Sequence, residues 1–63
     1  MGKMIYALKY WFAVGYHHGI SNIIEPPKPE TISYFKEIYD ANISEEYEKG
    51  RKAGVHDKSR GYD

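Results

Sequence analysis

Apolar and small residues recur at three- and four-residue intervals along the first third of the chain. Met4, Leu8, Trp11, Phe12, Gly15 and Gly19 fall on one face, widened by Ile5 and Tyr16. The spacing predicts a helix over residues 3–19, uninterrupted by proline and stopped at Gly19-Ile20. Residues 21–30, SNIIEPPKPE, then hold all three prolines of the chain. Each proline biases its predecessor away from helical dihedrals, so this stretch is expected to be a stiff connector, with Pro26-x-x-Pro29 read as linker rather than polyproline ligand. Ile32, Phe35, Ile38 and Tyr39, with Tyr34 on the flank, form the stripe of a second helix over 31–41. Asp40, Asn42 and Ser44 favour caps, and Asn42-x-x-Glu45 has the form of a capping box, which predicts a break near 41–43. A third helix is expected over 44–55, with Ile43, Tyr47, Gly50 and Gly54 along one face and its acids in the first turn, as the helix dipole favours. The polar tail 56–63 is expected to fray.

The chain repeats itself. At an offset of 35 residues Leu8 falls on Ile43, Phe12 on Tyr47, Gly15 on Gly50, Gly19 on Gly54 and Ile20 on Val55. A glycine inside a helix costs about 0.5–1 kcal/mol relative to alanine, so four of them need a structural reason. Glycines four apart share a face on which another backbone can approach closely. Phe12, Gly15, Gly19, Tyr47, Gly50 and Gly54 are therefore the expected helix-packing residues, with an aromatic ring of the opposing helix filling each notch. Gly19 and Gly54 could alternatively serve as C-terminal caps. The same notches also suit pairing between two chains, which makes a homodimer one expected partner state. The fold class that follows is all-α: two or three short helices in a compact helical hairpin or mini-bundle, forming one small domain over 1–63.

Composition narrows the chemistry. Sixty-three residues make one domain at most, and a chain this short buries only about 60% of the surface its unfolded form exposes. Cysteine is absent, which excludes disulfides, thiolate metal sites and cysteine nucleophiles and fits a cytoplasmic location. Seven Tyr, two Phe and one Trp supply large contact area to a core or an interface. Charge is balanced overall but not locally. Residues 1–20 carry Lys3 and Lys9 and no acid, residues 21–50 carry seven acids against Lys28, Lys36 and Lys49, and residues 51–63 return to +2. Met4–Ile20 is at the short limit of a membrane span and contains Lys9, His17 and His18, so insertion is not expected; no small-residue cleavage site follows to mark a signal peptide.

The doubled motif, Phe12, Gly15, Tyr16 and Gly19 followed by Tyr47, Gly50, Arg51 and Gly54 around a proline-containing connector, resembles the ribosome modulation factor family and the small phage and prophage proteins that share its pattern. The resemblance covers about two thirds of the chain. It implies a paired-helix fold and a ribosome- or RNA-associated modulator. That family is strongly basic, as a ligand of phosphates must be; this chain is neutral with an acidic centre.

No phosphate-binding loop, nucleophile elbow or zinc signature is present. His17 and His18 are adjacent and point about 100° apart on a helix, so they are read as exposed helix-end histidines rather than metal ligands. Glu45, Glu46 and Glu48 could act as acid or base only inside a pocket, which a chain this short hardly encloses. The expectation is a protein that is not an enzyme, has no catalytic or metal residues and takes no cofactor. Tyr34, Glu37, Tyr39, Asp40, Glu45 and Glu46 form the expected partner-binding surface, suited to a basic protein or ribonucleoprotein target. Lys9, Arg51, Lys52 and Arg60, with Tyr10 or Tyr62 for stacking, are the alternative nucleic-acid contact if the termini meet. The function expected is that of a small cytoplasmic inhibitor or modulator of a larger host complex, phage or prophage encoded, with host-defence modulation as its setting.

Overall fold

Three helices account for most of the chain: α1 (Gly2–Ser21), α2 (Pro29–Tyr39) and α3 (Ile43–Ser59). The computed structural model describes residues 2–61, and side chains from Tyr6 onward; Tyr62 lies outside the described residues, as do the side chains of Lys3, Met4 and Ile5. The chain is an all-α mini-bundle, as the periodicity predicts.

Local chemistry sets the helix ends. α1 runs past Gly19 and stops at Asn22, which adopts left-handed dihedrals (φ 61°). The N–H of Ile23 then reaches back to the carbonyl of His18 at 2.8 Å, the long-range bond of a Schellman cap. α2 opens at Pro29 rather than at Thr31, because a proline in the first helical position loses no hydrogen bond; Ile32 N–H donates to the carbonyl of Lys28 at 3.0 Å. It closes on Asp40, again left-handed (φ 52°), whose N–H donates to the Lys36 carbonyl. α3 is capped by Asn42, whose Oδ1 accepts from the Glu45 N–H at 3.1 Å, as the box pattern predicts.

The four motif glycines pack α1 on α3. A methyl placed on Gly15 would lie within 3.0 Å of the carbonyl oxygen of Tyr47, and one on Gly50 would meet that of Phe12. One turn further on, Gly19 meets the Arg51 carbonyl and Gly54 the Tyr16 carbonyl. Each contact maps onto its counterpart at the offset of 35, so the two motifs form a pseudo-twofold pair. Residue numbers rise together along both helices, so α1 and α3 run parallel. Two expectations are corrected. The notches receive backbone, not an aromatic ring, and Gly19 and Gly54 lie inside helices as packing residues rather than caps. Phe12 accordingly contributes its carbonyl, while its ring is only partly covered. Opposed glycine Cα atoms and carbonyls are the arrangement in which weak Cα–H···O contacts form between helices.

α2 provides the return path. Its start shares a pocket with Trp11 through Thr31 and Pro27, and its end shares a groove with Tyr6 and Tyr10 through Phe35 and Tyr39, so it runs opposite to α1. It packs lightly: no α2 residue is buried, and Ile38 of the expected stripe is 58% exposed. Among the described residues, full burial of large apolar side chains is confined to Ile43 and Tyr47 at the start of α3, beside buried Ala41. The backbone spans 39 × 22 × 11 Å, a flat and elongated body.

The tail is also more ordered than expected: residues 56–59 continue α3. The Tyr16 hydroxyl donates to Asp57 Oδ2 at 2.6 Å and ties that extra turn to α1.

Candidate binding surface

So flat a body cannot hide all nine of the described aromatic rings. Tyr6, Tyr10 and Tyr34 are 72%, 61% and 52% exposed. The first two line the groove between α1 and α2, about 450 Å³, together with Ala7, Trp11, Phe35 and Tyr39. The rings are organised: Trp11 is edge-on to Tyr10 with centroids 5.3 Å apart, and Tyr34 is edge-on to Phe35 at 5.3 Å and to Tyr39 at 6.2 Å. The α2 residues Tyr34 and Tyr39 are thus brought together, and Glu37 on the same helix and Asp40 at its C-cap stand exposed.

The remaining two residues of the expected acidic surface part company. Glu45 is exposed at the first turn of α3, whereas Glu46 is half-buried, lines a separate groove with Leu8, Lys9 and Phe12, and receives a bond from Lys49 Nζ at 3.4 Å. Asp40 pairs with Lys36 at 3.2 Å, but both side chains are largely in water, where such a pair contributes little.

The basic residues do not assemble. Lys9 lies beside Glu46, near the start of α3, while Arg60 follows the end of that helix. The parallel arrangement keeps them apart by roughly 20 Å along the helix axis at 1.5 Å per residue. Arg51 turns to the connector, its Nε donating to the Ile23 carbonyl at 3.2 Å, and Lys52 is exposed.

The Tyr47 hydroxyl forms a polar centre that periodicity alone does not reveal. It accepts from the Glu25 N–H at 2.9 Å and lies 2.8 Å from His18 Nδ1. With the neutral imidazole carrying its proton on Nε2, the hydroxyl donates to Nδ1 and both of its roles are filled. His18 is therefore half-buried and engaged, which corrects its reading as an exposed helix-end residue, whereas His17 is exposed as expected. The sequence signal was the tyrosine occupying the Phe12-equivalent position, since a buried phenol needs a partner.

Among the described residues no three His, Cys, Asp or Glu side chains cluster to hold a metal, and no helix is long and apolar enough to cross a membrane. Fold and surface together define a small helical module with an exposed aromatic groove. No protein-family model, curated protein or solved structure matches the chain.

Proposed function

We propose that this chain is a non-catalytic binding protein that modulates a larger protein or ribonucleoprotein complex through the acidic, tyrosine-bearing face of α2. The observation that carries this reading is the exposure of Tyr34 beside Tyr39, with Glu37 on the same helix and Asp40 at its cap. The atoms nearest the glycine notches are backbone, so these tyrosines are not needed to cover them. Tyrosine is among the residue types that dominate interface energetics, and flanking acids favour a basic target by steering and by excluding wrong partners. The grooves are open and Glu45 and Glu48 face solvent, an arrangement better suited to docking than to acid–base chemistry. Separation of Lys9 from Arg60 weighs against direct RNA binding by a single basic stripe.

The test is capture from a lysate of the source cell at low and high salt, comparing the wild-type chain with a Tyr34→Ala/Glu37→Lys double variant. Both positions are exposed, so helicity should be unchanged while the captured target disappears. A captured set identical for both chains overturns the assignment of the face. Capture of RNA that falls steeply with salt and ignores the substitutions would favour the nucleic-acid alternative.

A further inference from the structure

α1 is apolar on more than the face it buries. Opposite the glycines, Tyr6, Tyr10, Ala13 and His17 follow one another at spacings of four, three and four, the alternation of a helix seam, and all four are exposed. A helix apolar nearly all round is normally covered on all sides. α2 carries a matching half-seam in Thr31, Tyr34 and Ile38, spaced three and four, with Tyr34 and Ile38 exposed. Tyr6 and Tyr10 of the first seam line the aromatic groove between these antiparallel helices, and Tyr34 of the second lies edge-on to Phe35 and Tyr39, which line its other wall.

Their charged flanks are opposite. α1 contains no acid, and Lys9 lies beside its seam on the side away from α2. Glu30 and Glu37 lie beside the α2 seam on the side away from α1, both exposed. Stacking two α1–α2 pairs about a twofold axis sets α2 of each copy on α1 of the other. Each tyrosine seam then meets a seam, and each Glu30/Glu37 flank meets a Lys9 flank.

The chain exposes 4754 Å², more than the roughly 4,200 Å² expected of a compact monomer of 7.3 kDa, so surface is left for a partner to cover.

We infer that a second copy of this chain covers the aromatic groove, giving an isologous dimer whose α1 and α2 helices form a four-helix layer pair. The inference rests on the reading of α2 as a binding face and names the occupant of that face. It leaves the glycine contacts of α1 with α3 within each chain.

Sedimentation equilibrium of the full chain tests it. The expected result is a species of twice 7.3 kDa. Tyr10→Glu, at a position that touches none of the glycine contacts, should return the chain to a monomer with its helical circular dichroism intact. Glu37→Lys and Lys9→Glu should each weaken association at least tenfold by placing like charges together. Mixing those two variants should restore it, because every flank in the mixed pair is again opposite in sign. A wild-type monomer at several hundred micromolar overturns the dimer, as does a dimer indifferent to Tyr10→Glu or a charge-swapped pair that fails to recover. A monomer that still loses a captured target on Tyr34→Ala/Glu37→Lys overturns the dimer alone; a dimer that captures nothing supports it and removes the larger target.

Discussion

Gly50 lies so close to Phe12 that a single added methyl would overlap the Phe12 carbonyl oxygen, and the same relation joins Gly15 to Tyr47 at the other half of the repeat. An alanine at either glycine gains about 1 kcal/mol of helix propensity and must displace backbone rather than the end of a flexible side chain. Overpacking of this kind typically costs about 1–3 kcal/mol, with rigid backbone at the upper end. Gly15→Ala and Gly50→Ala should therefore both be net destabilising, and by similar amounts because their surroundings repeat. Thermal unfolding checks this: a rise in midpoint for either variant would show that α1 and α3 are farther apart than described.

The glycine spacing was legible in the sequence as a close helix contact, and Ile43, Tyr47, Gly50 and Gly54 are buried together as the 3.6-residue period predicts. The partner atoms and the sense of the pair were not. Periodicity reports which face is buried but not which way the facing helix runs; the parallel sense follows from α2 returning the chain before α3 begins. Helix ends were legible where the residue type favours a cap, as at Asp40 and Asn42, and illegible at Asn22, where a left-handed backbone closes α1 three residues beyond the expected stop. The extra turn of α3 depends on Tyr16 reaching Asp57 across 41 residues, a contact with no local signature. Tyr34 and Tyr39 of α2 could be singled out from composition, since a short chain has too little core for them, whereas the α1 side of the groove emerges only once α2 is placed against Tyr6 and Tyr10.

Asn42→Ala should cost about 1 kcal/mol, the usual value of a lost N-cap. Asn42 Oδ1 satisfies the Glu45 N–H in the first turn of α3, next to the fully buried Ile43. Asn42→Ser or Asn42→Asp should retain most of the stability. Chemical denaturation separates these outcomes, and an alanine variant as stable as wild type would mean that water caps the helix equally well.

Asp40→Gly should stabilise the fold. The residue sits at a left-handed φ of 52°, where a side chain is strained by roughly 1–2 kcal/mol, less for Asp than for most residues. Its exposed pair with Lys36 offers at most about 1 kcal/mol in return. Asp40→Val at the same position should lower the unfolding midpoint. Because Asp40 belongs to the proposed partner surface, the glycine variant also separates stability from binding: a more stable chain with weaker target capture assigns the carboxylate to recognition.

Tyr47→Phe isolates the polar centre from the packing. The ring is 1% exposed, with Trp11 and His18 edge-on at 6.5 and 5.6 Å, and phenylalanine preserves those contacts. What disappears is the hydroxyl between the Glu25 N–H and His18 Nδ1. Leaving partly buried donors and acceptors unmatched costs about 1–3 kcal/mol, at the lower end here because Glu25 is itself exposed and water can reach its N–H. The loss should appear locally before it appears globally: the connector between α1 and α2 is held to α3 by this hydroxyl and by the Arg51–Ile23 bond alone among the polar contacts found there. Hydrogen exchange at Glu25 should therefore quicken several-fold more than exchange along α3, and Arg51→Ala combined with Tyr47→Phe should extend the effect to Ile23. Uniform quickening throughout the chain would place the hydroxyl in the global folding core instead of at the clasp of the connector.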